Sequence, residues 1–497
     1  MRGIGGGLGV LVASAVLVAC SEAGEQAVAT GTAATSTPTA APFVVASVAS
    51  LTSDVWFIED GERWARGLRG STTGVGGPQL VVLADGSIIA ALTVGYSEGP
   101  ADADLGGGRL EGVGRTDIVI GRFTASGEHV WSRLFGGAGR DNLGGIDVAG
   151  DGAVVLGGTF EGTLDLDGVS LSSAGERDAF FAVLDGDGQI SMARSFGETG
   201  LDSGAEVVAL DDGGFVLAGS FAGAIDFGGT LLVEGDTNER NREVFLARLD
   251  GAGEVEWVVT PGASGWASAL EVDAGSGDLV VAVSRRIGAG SGLVGSRLLR
   301  IAPDGEVRWV RRFDDEGAAA DVNDLVLTED GGIVVGGSFE TPIDLGGGEI
   351  VPAGWGHPVI RTDPDAFVAR YSSNGGYEWS RSFGGSLSER IEAVAVASEG
   401  DILASGSMLS GFELSAGLEV PVGRGGTFIA RFDGDGTPLA LAIPPATPTA
   451  YRLDGLIAEG GATVLVGGRF FDAVDFGFGR LRTSQWGDFF IARIDAP

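Results

Sequence analysis

The chain has 497 residues, with 32 Lys and Arg against 68 Asp and Glu, for a formal charge of −36. That balance excludes a nucleic-acid binder, which needs concentrated cationic surface to displace phosphate counterions, and it leaves no basic cluster to hold anionic lipid headgroups. One Cys and two His leave no material for a disulfide framework, a His-rich zinc site or a cysteine protease.

Taken in order, the chain opens with MRGIGGGLGVLVASAVLVAC, one Arg followed by an apolar stretch from Leu8 to Val18. The stretch is too short for an ordinary spanning helix and has the build of an export signal. Leu17-Val18-Ala19-Cys20 resembles a bacterial lipobox. That resemblance implies a signal peptide over residues 1–19, lipidation of Cys20, and attachment to the envelope by the N-terminal lipid alone. Ser21 then favours the outer membrane, with the periplasmic or surface face left open. Residues 20–50 are rich in Ala, Thr, Ser and Pro (TGTAATSTPTAAP). Such a composition cannot bury enough surface to offset its ordering entropy, so it reads as a flexible linker.

Residues 51–497 read as one large repeat domain. A position occupied by Trp64, Trp131, Met192, Trp257, Trp309, Trp379 and Ala440 recurs at intervals of 52 to 70 residues. A second anchor, two short apolar runs folded on a Gly turn, also recurs seven times, as in LVLTEDGGIVVGGSF and VAVASEGDILASGSM. Runs of four to seven residues rich in Val, Ile, Phe and Ala, bounded by Gly or Asp-Gly, are strands punctuated by tight turns. Repeats of this length with four strands each predict an all-β fold, a single β-propeller of seven four-stranded blades. The strand DAFVARY at Asp365 has eight approximate copies, from DVWFIED to DFFIARID. The surplus copy predicts a ring latch in which one terminus completes a blade begun at the other.

The motif D-x-F-x-A-R-x-x-x-x-G-x-x-x-W-x-R-x-F-G-G, best preserved from Asp365 to Gly385, resembles the bacterial SBBP β-propeller repeat over roughly residues 52–495. The resemblance implies a surface or envelope protein and assigns little activity. The repeated Trp is similar to that of quinoprotein-type propellers, and physically reads as a wedge between adjacent sheets.

Simple strand alternation places the Gly hairpins on one rim and the Phe-Gly-Gly breaks and long returns on the other. The notable insertions, at 96–108, 233–243 and 350–364, all fall in returns, and insertions gathered on one face of a repeat array mark a binding face. The richest carries Trp355, His357, Arg361 and Asp363, of which Trp and Arg are favoured anchors in binding surfaces. The turns at Asp185-Gly186-Asp187 and Asp433-Gly434-Asp435 are weak calcium candidates, each offering two carboxylates where an EF-type loop supplies more. The pattern at Gly95-Tyr96-Ser97-Glu98-Gly99 lacks the strand–turn–helix context of a nucleophile elbow. No catalytic residues and no cofactor are nominated. The expectation is a monomeric, non-enzymatic binding or scaffold module for an envelope protein or glycan. An accessory lipoprotein of outer-membrane protein assembly and a polysaccharide-acting propeller enzyme are the alternatives.

Overall fold

A computed structural model describes residues 57–70, 77–95, 100–233, 242–287, 293–313, 319–353, 355, 363–421, 425–443, 451–459, 463–471, 473–482 and 488–497. Every regular element among them is a strand. Six consecutive four-stranded antiparallel sheets form blades 1 to 6, and each runs first to fourth strand in chain order. Blade 1 comprises Gln79–Val82, Ile88–Gly95, Thr116–Phe123 and His129–Phe135; blade 5, the best repeat copy, comprises Ala320–Leu327, Ile333–Phe339, Asp365–Tyr371 and Tyr377–Phe383. The first strand of each blade touches that of the next, and the first strand of blade 7 (Tyr451–Ala458) touches that of blade 1. The ring therefore closes at seven, as the repeat count requires.

The sequence repeat and the blade are out of phase. DAFVARY is the third strand and the Trp segment the fourth, so each sequence repeat spans two blades. Blade 7 takes its first three strands from the C-terminus, ending in Asp488–Asp495, and its fourth, Arg63–Gly70, from the N-terminus. The surplus strand is the N-terminal one: Phe57–Asp60 pairs with Arg63–Arg66 as a fifth, outermost strand. Closing the sheet across the termini removes the open edges that the inner strands would otherwise expose.

Seven apolar clusters fill the seven interfaces between neighbouring blades; one combines Val155, Phe181 and Val183 of blade 2 with Val207, Leu217, Phe221 and Phe245 of blade 3. Second and third strands have sheets packed on both faces, so they read as continuous apolar runs and not as alternating ones. The first strands of blades 2 to 7 share a β-bulge, for example between Leu143 and Gly145 or Val322 and Asp324. The bulge drives a carbonyl into the second strand. A Cβ on Gly337 would lie 1.9 Å from the Asp321 oxygen, which is why the second strand carries Gly-Gly at its centre.

The repeat's most regular residues are spent on docking blade to blade. Trp379 Nε1 donates to the Gly434 carbonyl at 3.0 Å, and Arg370 of the same blade donates to that same oxygen at 3.0 Å. Trp131 and Arg122 converge likewise on Gly186 O, and Trp309 and Arg300 on Ser373 O. In each case the acceptor is the turn between third and fourth strands of the following blade. At the closure, Trp64 from the N-terminus and Arg493 from the C-terminus share Ala125 O. The indole also lies against the turn glycine: a Cβ on Gly436 would stand 2.4 Å from Trp379. Trp379 is 8% exposed; Trp379→Ala is expected to cost about 3–5 kcal/mol in urea unfolding, the usual range for emptying a Trp site.

Candidate functional site

The two rims differ in chemistry. On one lie the turns joining first to second and third to fourth strands, and their charges are used internally. Arg370 binds Asp330 at 2.6 Å and Glu378 at 2.9 Å, and Arg122 binds Asp85 at 2.6 Å. Arg300, almost fully buried, binds Asp278 at 2.7 Å and also Asp273. These contacts hold Asp273 and Asp330 below the usual carboxylate range: hydrogen bonds from Arg300 to Asp273, and from Thr328 to Asp330, favour the ionised form over the cost of burial. A cleft of about 580 Å³ opens on this rim between blades 3 and 4, walled by Trp257, Arg248, Asp212 and Pro303; Trp257 docks on the Pro303 carbonyl at 3.0 Å, and Arg248 is held within its own blade by Asp212 and Glu256.

The opposite rim carries the returns. Five of them contain a small two-stranded hairpin, such as Thr163–Leu166 with Val169–Ser172 and Ile343–Asp344 with Glu349–Ile350. Two strands are added, so alternation is preserved and the returns stay on the rim expected of them. In four of these hairpins a single Asp shapes the turn, as where Asp344 Oδ1 accepts the N–H groups of Gly346 and Gly348 at 2.7 and 3.0 Å.

Exposed large apolar side chains gather on this return rim. Val113, Val169, Val351, Trp355, Leu387, Leu409 and Phe471 lie in returns or in the links between blades, and Trp266 opens the first strand of blade 4; Val130, Val310 and Leu439 lie on outer strands, and none of this group lies on the hairpin rim. Four of the eight cluster at blades 5 and 6. Val351 and Trp355 come from the return of blade 5, Leu387 from the link to blade 6, and Leu409 from the return of blade 6. The Leu409 N–H donates to Ser388 O at 2.9 Å, which ties that return to the link. Trp355 is 46% exposed and Leu409 63%.

Trp355 thus stands where the sequence places a binding residue, its N–H donating to Pro352 O at 3.1 Å. Asp363 is half-buried, and its charge helps push the neighbouring Glu389 up, after burial itself. His357 and Arg361 lie outside the described residues, as do Cys20, the whole leader and linker, and Ser97. The calcium candidates are hairpin turns. Asp185 Oδ1 accepts the N–H of Asp187 and of Gln189, both at 2.9 Å, and Asp433 Oδ1 accepts those of Asp435 and Thr437 at 3.1 and 2.6 Å. Asp187 and Asp435 point to solvent. Among the described residues, no three His, Cys, Asp or Glu side chains are grouped to hold a metal ion.

Leu387, Leu409 and Val351 escape sequence reasoning because single apolar residues in Ser- and Gly-rich loops have no period. A second missed feature is periodic. Asp117, Asp178 and Asp365 head third strands, and Asp141, Asp202 and Glu389 stand six residues after the Phe of each Phe-Gly break; all six are buried. Each break is clasped between two carboxyls. A Cβ on Gly136 would meet Asp117 Oδ1 at 2.0 Å, while the next N–H, of Gly137, donates to Asp141 Oδ2 at 2.6 Å. Gly197 and Glu198 sit likewise between Asp178 and Asp202, and Gly384 and Gly385 between Asp365 and Glu389. Burial drives Asp141 and Asp202 up to about 7 and Asp365 to about 6, and the partner carboxylate adds to it in each pair.

No protein-family model matches this chain, and none of the curated proteins does. Solved structures it is similar to include the β-propeller domain of Cps50 (Swd1) from Myceliophteria thermophila, at 11% identity and a TM-score of 0.41, covering 86% of this chain and 99% of that one. Another is the polysaccharide lyase Uly1, at 10% identity and a TM-score of 0.45, covering 85% and 90% respectively. A third is a puromycin-hydrolyzing peptidase of Mycobacterium tuberculosis, at 12% identity and a TM-score of 0.44, covering 83% and 52%. At identities this low, nothing of their activities transfers.

Proposed function

We propose that the protein is a non-enzymatic binding module, held to the bacterial envelope by a lipid on Cys20 and presenting its return rim to an envelope protein or glycan. The observation that carries the reading is the segregation of exposed apolar side chains to that rim, with Val351, Trp355, Leu387 and Leu409 gathered at blades 5 and 6. Exposed apolar clusters with a polar surround mark interaction surfaces, and Trp is the commonest anchor in them. The hairpin rim, by contrast, commits its arginines to ion pairs within a blade and to the turn carbonyls of the next. A ring carried on a lipid anchor suits presentation more than turnover.

The test is retention of the tagged protein by sedimented envelope fractions of its own cells, separated into membranes and cell-wall glycan. The expected result is retention by one fraction, reduced at least tenfold by Trp355→Ala with Leu409→Ser, with the unfolding midpoint unchanged because both side chains are exposed. Equal retention of wild type and variant would remove the return rim from consideration. Turnover of an envelope polysaccharide, lost on one carboxylate substitution, would replace the binding reading by an enzymatic one.

A further inference from the structure

Most blades carry an arginine near the end of the third strand, and the fold uses its guanidinium in one way. Nε and Nη2 bind acceptors of the same blade, while Nη1 reaches the turn carbonyl of the next. Arg122 donates in this way to Gly186 O at 2.8 Å, Arg300 to Ser373 O at 3.2 Å, Arg370 to Gly434 O at 3.0 Å and Arg493 to Ala125 O at 2.7 Å. Arg248 of blade 3 departs from the pattern. Glu256 holds its Nε at 2.6 Å and Asp212 its Nη2, but among the described residues its Nη1 has no acceptor. The equivalent carbonyl, of Pro303, takes only the Trp257 indole.

The two blades stand apart at this point. A Cβ on Gly305, in the turn of blade 4, would lie 3.6 Å from Trp257, against 2.4 to 3.1 Å for the turn glycines facing Trp64, Trp131, Trp309 and Trp379. Val259 takes the nearer place, 2.7 Å from the same Cβ; it stands where other blades carry Arg133, Arg311 or Arg381. The far wall is the turn Asp273–Asp278, one residue longer than its counterpart Thr328–Gly332. What opens between them is the cleft of about 580 Å³, within the range of about 300–1,000 Å³ usual for ligand sites.

We propose that this cleft binds a neutral saccharide. A sugar ring has apolar C–H faces and a rim of hydroxyls that both donate and accept. The cleft supplies each counterpart: the half-buried Trp257 ring as an apolar wall, Arg248 Nη1 as a donor awaiting an oxygen, and the exposed carboxylates of Asp211, Glu256 and Asp304 as acceptors. A hydroxyl oxygen on Nη1 takes the place that a turn carbonyl holds at the other junctions. An anionic ligand meets carboxylates that outnumber Arg248, and a cationic one leaves that donor unmet. The site lies on the hairpin rim, opposite the apolar cluster of blades 5 and 6, and does not rest on it.

The experiment titrates the neutral trimers of glucose, galactose, mannose and N-acetylglucosamine into the full-length protein by calorimetry. At least one gives saturable heat. Arg248→Gln weakens that binding at least tenfold and Asp304→Asn at least threefold. Ala274→Arg, which fills the cleft from an exposed position on the long turn, abolishes it. Trp355→Ala with Leu409→Ser leaves it unchanged, which separates this site from the return rim. If Arg248→Gln does not fold, Ala274→Arg decides alone, with an unchanged thermal midpoint showing an intact ring. Absence of saturable heat from all four trimers overturns the proposal, as does binding that survives Ala274→Arg. Preference for trilysine or trigalacturonic acid over every neutral trimer overturns it too.

Discussion

A chain beginning at residue 71 is expected to lose its cooperative unfolding transition, whereas one beginning at residue 53 keeps it. The shorter chain lacks Arg63–Gly70, the fourth strand of blade 7, and with it Trp64 at 2% exposure and Ala65 and Leu68 at 0%. Trp64 and Leu68 belong to the apolar cluster between blades 7 and 1, together with Phe489 and Ile491, and Ala65 to the one between blades 6 and 7. Emptying a Trp and a Leu site costs about 5–10 kcal/mol together, comparable to the whole stability of a typical domain. The loss is larger still because the edge of Asp488–Asp495 is left unpaired and Arg493 keeps only part of its hold on Ala125 O. Thermal unfolding followed by near-ultraviolet circular dichroism reads the difference directly, and limited proteolysis should cut first within blade 7. A synthetic peptide covering residues 54–70, added in excess, should restore the transition. A sharp transition for the residue-71 chain near the wild-type midpoint would falsify closure through the N-terminal strand.

How much of this was legible in the sequence depends on what each residue answers to. The blade count was readable because the docking Trp and the Gly hairpin recur, and both do so for local reasons: an indole must reach a turn carbonyl, and a turn must take a positive φ, as Gly127, Gly188 and Gly436 do. The phase of the blade was not readable, because a cyclic repeat looks the same wherever it is cut. Only the pairing of the N-terminal strand with the C-terminal one, Trp64 opposite Arg493, decides it. Degenerate copies kept their place: Met192 fills the indole site, its sulfur 2.3 Å from a Cβ built on Gly253, and Ala440 stands in a regular fourth strand. The return rim was anticipated from the insertions, yet Leu387 and Leu409 were invisible there, since exposure is a property of neighbours and not of the residue. The buried carboxyl pairs lay in plain spacing, Phe135 to Asp141, Phe196 to Asp202 and Phe383 to Glu389. An acid in a loop reads as solvated until its burial is known.

Those pairs lead to the second large effect, an inverted pH dependence. The urea midpoint should rise as pH falls from 8 to 5. Asp141 and Asp202 titrate at about 7 in the folded protein and Asp365 at about 6, pushed up first by burial and then, in part, by a neighbouring carboxylate. Across the channel lined by first strands, burial together with the charges of Asp324 and Asp147 raises Glu271 to about 8, and burial raises Asp324 to about 7. A raised folded value means that the folded state holds its protons more tightly than the unfolded one. The stabilisation is complete below about pH 4 and disappears as pH climbs through 6 to 8. For Asp141 and Asp202, both essentially without exposure, the change between pH 5 and 8 is about 2–3 kcal/mol each. The depressed carboxylates of the hairpin rim, Asp85, Asp212, Asp330 and Asp433, work the other way. Their contribution is lost only below about pH 4, so they set the acid limit and leave the window from 5 to 8 to the buried groups. Asp202→Asn, which removes the charge and keeps the shape, should raise the pH 8 midpoint and flatten the slope. A midpoint that falls steadily from pH 8 to 5 would mean that these carboxyls are ionised in the folded protein and held by donors or cations from outside the described residues.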